Sequence, residues 1–303
     1  MKIENCIKDF LLESEIKKFT PKTIKGYRTN LNRFVHFCKE DEITDMDDVD
    51  FVVVKRFSYW LINKGYKPTY TNSLLKTLKC FIQFCYEEGY GGFDTNKRKF
   101  IWAKETLPVI LPFQPKDVKK LLQNCSGNTF LDIRDYAIMT IFIETGIRAW
   151  ECCCIKNEDV FEDYIIIKAP KNRKQRLVGI TPVLRKAMNR YDRVKESYFD
   201  KGKKIDDYYF LSVNGKQLSN SAMQHMFRRR GEGIDADKCR ISPHSLRHFF
   251  AVQSLKQGRD IYSISTQLGH SSLKQTSEYL RTLSQEDVVK MAQTSSVLMN
   301  MRD

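Results

Sequence analysis

The sequence has no apolar run near the ~18 residues that a membrane-crossing helix needs; Phe51–Val54 and Tyr164–Ile167 are only strand-sized. Its first residues, MKIENCIKDFLLESEIKKF, mix charged with apolar side chains and lack the unbroken hydrophobic centre of a signal peptide, so a cytoplasmic protein is expected. No GxxxxGK[ST] or GxGxxG occurs, which removes the usual glycine loops that cradle nucleotide phosphates. Neither HExxH nor a CxxC pair occurs. The nine cysteines include three consecutive ones, Cys152, Cys153 and Cys154, a spacing that cannot converge tetrahedrally on one metal. They are expected to be reduced thiols acting as small apolar residues. His244 and His248 stand at i and i+4, but Arg247 beside them repels a cation. Neither a metal nor a nucleotide cofactor is expected.

What the chain does have is positive charge: 51 Lys and Arg against 37 Asp and Glu, a net +14 over 303 residues. An apolar share of 42% excludes a disordered tail, and the length suggests two domains. The charge points to a polyanionic partner without separating nucleic acid from an anionic membrane. It is spread along the chain, with 19 basic and 15 acidic residues in 1–107 and 32 and 22 in 108–303. Between these parts Pro108, Pro112 and Pro115 fall close together, and proline disfavours helix at the preceding residue. We expect a first domain over 1–104, a linker over 105–112 and a second domain over 113–303.

The fold class is expected to be mainly α with a small β-sheet. Thr20-Pro21 reads as a helix cap followed by proline in the first turn. Ile24, Tyr27, Leu31, Phe34, Val35 and Cys38 then recur at helical spacing, leaving Lys22, Lys25 and Arg28 outside. Further helices are expected over Val49–Asn63 and after Pro68, the latter burying Leu74, Leu75, Leu78, Phe81, Ile82 and Cys85. Four or five such helices suit a compact bundle. In the second domain the patterns predict helices over 115–124, 130–145, 183–198, 219–230, 243–257 and 260–268, with a β-hairpin over 164–168 and 176–180. A short helix carrying Tyr279 and a last one near 285–299 are expected to follow.

Four short segments carry possible chemistry. SPHSLRHFF at 242–250 starts a helix with Ser242 and Pro243 and puts His244 and Arg247 on one face, a pairing suited to a phosphate. TGIRAWE at 145–151 places Arg148 just past a helix-breaking glycine, and LGHSS at 268–272 does the same for His270. Nine residues after His270 comes Tyr279. Taken singly, each has an ordinary structural reading: a packed tyrosine, an arginine capping carbonyls, a solvated hairpin tip.

Together, TGIRxxE, HxLRH and LGHSS with the later tyrosine resemble the catalytic set of the tyrosine recombinases, the phage integrase family, in order and approximate separation. The resemblance covers essentially the whole chain and is greatest to compact Xer-like members. It implies an N-terminal helical-bundle core-binding domain, a mixed α/β catalytic domain and a terminal helix for contacts between protomers. It further implies strand exchange by a homotetramer on paired sites in double-stranded DNA, through a Holliday junction, with the two domains clamping the duplex and no cofactor. Arg148 and Arg247 match the arginines that hold the scissile phosphate, Tyr279 the nucleophile, and His244 and His270 the two histidines. Glu151 matches a supporting acid. Lys171 best matches the hairpin lysine that protonates the leaving 5′-oxygen; the family's Gly-Lys-Gly-Asn-Lys-x-Arg turn has lost both glycines here, leaving Lys174 and Lys168 as alternatives. Candidate DNA contacts are Lys22, Lys25, Arg28, Lys76 and Lys79 on one domain and Arg173, Lys174, Arg176, Arg228, Arg229 and Arg230 on the other. A type IB topoisomerase-like enzyme and a catalytically silent DNA-binding regulator are the rival readings.

Overall fold

The computed structural model describes residues 1–97, 100–105, 113–168, 175–199, 204–235, 241–270, 272–277 and 279–280. The chain divides into two compact units, Met1–Pro108 and Val109–Asp303.

The first unit packs α1 (Ile3–Ile16), α2 (Pro21–Glu40), α3 (Phe51–Asn63) and α4 (Pro68–Glu87) around one aromatic-rich core. Thr20 caps α2 by accepting from the Thr23 N–H at 3.1 Å, and Asp50 caps α3 through the N–H groups of Val52 and Val53. Leu31 and Phe34 of α2, Phe57 and Leu61 of α3 and Leu74, Leu78 and Phe81 of α4 are all buried in that core. Phe37, absent from the expected stripe, is buried as well, whereas Tyr27 and Val35 are only half-buried. Lys22, Lys25, Arg28 and Lys76 are exposed and Lys79 is half-buried.

The second unit is built on α6 (Phe130–Thr145), preceded by α5 (Pro115–Gln123). No polar stripe interrupts α6: eleven of its residues are buried, the pattern of a central helix packed on all sides. It ends at Gly146 in the left-handed region (φ 63°), and a five-residue α7 (Ala149–Cys153), not among the helices expected, follows. Strands β1 (Tyr164–Ile167) and β2 (Arg176–Gly179) pair antiparallel, Ile167 opposite Arg176. Then come α8 (Pro182–Phe199), α9 (Asn220–Arg230), α10 (Pro243–Lys256), α11 (Ile261–Leu268) and α12 (Leu273–Ser277). Helix α8 covers α6, with Leu184, Met188 and Tyr191 fully buried, while α10 packs on α6 near the end that leads to Arg148. Phe250, Val252, Leu255, Ile264, Leu268 and Tyr279 form a separate apolar cluster beneath the last helices.

Beyond the end of α12 at Ser277, Tyr279 and Leu280 are again helical, of the 3-10 type, where a short helix carrying the tyrosine was expected. One expectation needs correction. Of the run Arg228–Arg230, expected as DNA contacts, Arg230 is withdrawn from the surface while Arg229 stays exposed. Arg230 is tied to Asp132 at 2.7 Å and Asp135 at 2.9 Å with its side chain 12% exposed, and Arg229 reaches Asp135 at 2.8 Å. Asp135 is fully buried and also pairs with Arg134, so a buried carboxylate draws Arg230 in from the surface, while Arg229 reaches it from an exposed position. Arg228 is exposed. The helix expected near 285–299 and the linker residues 106–112 lie outside the described residues.

Candidate active site

Three helix ends and the start of a strand converge in the second unit. Gly146 reverses the chain after α6, and a larger residue would force its neighbours to shift: a Cβ there would stand 2.5 Å from Phe250 Cδ1 and 2.7 Å from Leu268 Cδ2. The turn delivers Arg148 to the N-cap of α7, where its backbone N–H donates to Glu151 Oε2 at 2.8 Å. The Arg148 guanidinium donates to Glu151 Oε1 (3.0 Å), the Gly269 carbonyl (3.0 Å) and, at 3.4 Å, the Leu268 carbonyl.

Arg247 enters from α10 and is 3% exposed. Its fork donates to the carbonyls of Gly146 and Leu268, both at 2.8 Å. The two guanidinium groups therefore share Leu268 as acceptor, which fixes them side by side. Burial, and then the charge of Arg148, push the Arg247 guanidinium down to about 10.

His270 follows Gly269, the left-handed cap that ends α11, and its Nδ1 is 2.7 Å from Thr276 Oγ1. Burial lowers its pKa to about 4, with Arg247, Arg148, Arg176 and His244 adding to the effect. The imidazole is thus neutral at physiological pH, with one nitrogen donor and one acceptor. Tyr279, 7% exposed, lies between two imidazoles: its ring stacks on His270 (centroids 6.1 Å, 27°) and meets His248 edge-on (4.9 Å, 86°). His244 is exposed in the first turn of α10.

Arg176 corrects another expectation. Rather than facing solvent as a DNA contact, its side chain is 11% exposed and grips Glu151 with both terminal nitrogens, at 2.9 and 2.7 Å. Burial alone would raise the Glu151 carboxyl, but hydrogen bonds and charge from Arg176 and Arg148 prevail and lower it. Lys171, Arg173 and Lys174 lie outside the described residues. Lys168, at the base of the hairpin, is held by Asp159 and Glu158. The site thus unites Arg148, Arg247, His270, Tyr279 and Glu151, and adds Arg176, His248 and Thr276. Thr276 sits in no pattern, and Arg176 was hidden among like charges.

A cationic pair, a neutral imidazole and a tyrosine in one buried cluster coincide with matches to known sequences. The "Phage integrase family" profile matches residues 112–286, and "Phage integrase, N-terminal SAM-like domain" matches residues 7–89. The chain belongs to the phage integrase family. This integrase-family chain is 28% identical over 263 residues to the tyrosine recombinase XerC of Thermodesulfovibrio yellowstonii, covering 85% of this chain and 84% of the relative. It is 27% identical to XerD of Pasteurella multocida, covering 92% and 94%. Its fold matches the crystal structure of a lambda integrase tetramer bound to a Holliday junction with a TM-score of 0.73 at 15% identity, over 92% of this chain and 77% of that one.

Proposed function

We propose that this chain is a site-specific DNA recombinase that cuts and rejoins duplex DNA through a 3′-phosphotyrosyl intermediate. The observation that carries the reading is the sharing of the Leu268 carbonyl by Arg148 and Arg247, within the same small cluster as His270 and Tyr279. Two adjacent guanidinium forks suit the nonbridging oxygens of one phosphodiester. Fixed cations in a poorly solvated site stabilise the extra negative charge of a pentavalent transition state better than water does.

The Tyr279 oxygen attacks phosphorus, the phosphorus–O5′ bond breaks, and the phenolic proton leaves to a nearby base. One phosphoester replaces another, so the 5′-hydroxyl can later reverse the step on a partner strand. Lys171 is assigned to protonate the departing O5′, His270 and His244 to proton handling and phosphate hydrogen bonding, and Glu151 to holding Arg148. The working assembly is a homotetramer on two double-stranded sites, passing through a Holliday junction, in the cytoplasm. The lambda integrase tetramer on such a junction supports that assembly by likeness of fold.

The test is a nicked suicide duplex built from DNA flanking the gene. Wild-type protein should yield a covalent protein–DNA band, which Tyr279→Phe abolishes while DNA binding persists. A persisting adduct in the variant would falsify the nucleophile assignment.

A further inference from the structure

Glu151 stands one helical turn after Arg148, and both of its oxygens are occupied twice. Oε2 accepts from the Arg148 backbone N–H at 2.8 Å and from Arg176 Nη2 at 2.7 Å. Oε1 accepts from Arg148 Nη1 at 3.0 Å and from Arg176 Nη1 at 2.9 Å. A third nitrogen of Arg176, Nε, donates to the Gln267 carbonyl at 2.7 Å. The loop that carries His270 leaves room for this: a Cβ on Gly269 would lie 2.9 Å from Arg176 Nη1. Arg176 is therefore built into the wall of the site from the first residue of β2, aimed away from solvent.

The charges explain why an arginine belongs there. Glu151 is 6% exposed, and a buried carboxylate needs a cation. If Arg148 were its sole charged partner, the two would neutralise each other, and Arg247 alone would be left to meet a phosphate. With Arg176 present, Arg148, Glu151 and Arg176 together carry one net positive charge, and Arg247 brings the cluster to two. The bidentate grip also fixes both carboxylate oxygens, so the backbone and fork of Arg148 have a rigid anchor.

We propose that Arg176 is a positioning residue for the phosphoryl chemistry: by holding both oxygens of Glu151, it keeps Arg148 oriented and its charge available to the scissile phosphate. This rests on the reading of Arg148 as a phosphate ligand, and it gives Arg176 a role distinct from binding the DNA backbone.

Compensation tests it. On the nicked duplex at saturating concentration, Arg176→Met should slow adduct formation about 100-fold, the usual scale for loss of preorganised charge stabilisation. Its dissociation constant for the duplex should change less than about threefold, because the side chain is buried against Glu151 rather than offered to solvent. Removing the Glu151 charge in the same chain should then restore rate: Arg176→Met with Glu151→Gln should be at least about tenfold faster than Arg176→Met alone, since the uncompensated carboxylate is gone. Arg176→Lys, which keeps the charge and loses the fork, should fall between wild type and Arg176→Met, and it keeps the test usable if the Met variant fails to fold. Weakened binding with an unchanged saturated rate would overturn the proposal in favour of a direct DNA contact. A double variant as slow as the single would overturn it in favour of a purely structural pair. Wild type and Tyr279→Phe run alongside: no Tyr279-dependent adduct in wild type defeats the recombinase reading itself, whereas a normal wild-type adduct with an unimpaired Arg176→Met defeats only this proposal.

Discussion

His270 shows how a single residue couples the site to stability. Its pKa falls from the ordinary 6.5 to about 4, first through burial and then through Arg247, Arg148, Arg176 and His244. Between about pH 4 and 6.5 the unfolded chain binds a proton at this residue that the folded protein refuses. Its effect on stability is therefore nil above 6.5 and increasingly unfavourable as pH falls toward 4. The melting temperature should drop on acidification across that window and drop less steeply in His270→Gln, measured by thermal unfolding at constant ionic strength. Equal slopes would assign the acid sensitivity to other groups. A second residue-scale prediction concerns Gly146, which combines φ 63° with neighbours, Phe250 and Leu268, that a methyl group would force to shift. Gly146→Ala should cost about 1–3 kcal/mol of stability through backbone strain and overpacking. Because Gly146 also presents the carbonyl that Arg247 binds, adduct formation should slow as well. A variant that melts like wild type and cuts at its rate would show that the turn relaxes without cost.

At the scale of elements, the helices were legible because their signals are local. Thr20-Pro21 starts α2 as its cap chemistry demands, and the apolar spacing after Pro68 places Leu74, Leu78 and Phe81 in the core. The hairpin was equally plain, with a polar tip between two apolar runs. Short α7 was not: five residues carry too little periodicity, and what holds the helix start is the Arg148 N–H on Glu151, an interaction that spacing alone does not announce. Tyr279 was singled out by its distance from His270, yet its place between two imidazoles depends on α10 folding back beneath it. Arg176 was misread because one charged residue among several looks solvated until a buried partner is known. The hairpin also carries the open choice of proton donor. Lys168 is engaged by Asp159 and Glu158, whose hydrogen bonds raise its pKa and make it a poor acid, which leaves Lys171 and Lys174 as the candidates. Lys171→Ala should slow cleavage of an ordinary phosphodiester about 100-fold or more. Its activity should recover on a substrate with a 5′-bridging sulfur, whose departure needs no proton. Recovery in Lys174→Ala alone would transfer the role to Lys174.

Across the whole molecule, a net charge of +14 says only that a polyanion is favoured; burial sorts which charges are free to meet one. Lys22, Lys25, Arg28 and Lys76 are exposed on the first unit, whereas Arg230 and Arg176 are consumed by Asp132, Asp135 and Glu151 in the second. Residues of the same sign should therefore fail in different ways. Each exposed cation that meets a phosphate releases about one counterion, steepening the fall of log affinity with log salt by ~0.9. Removing Lys25 and Arg28 together should weaken DNA binding and make that slope shallower by about 2, with little change in melting temperature. Arg230→Ala should do the reverse, because it strips a partner from a fully buried carboxylate: the melting temperature falls while the salt slope holds. Fluorescence anisotropy across a salt series and thermal melts of the same variants measure both quantities. A shallower slope in Arg230→Ala at unchanged stability would mean that this arginine leaves Asp135 for the DNA, and that the count of bound phosphates must include it.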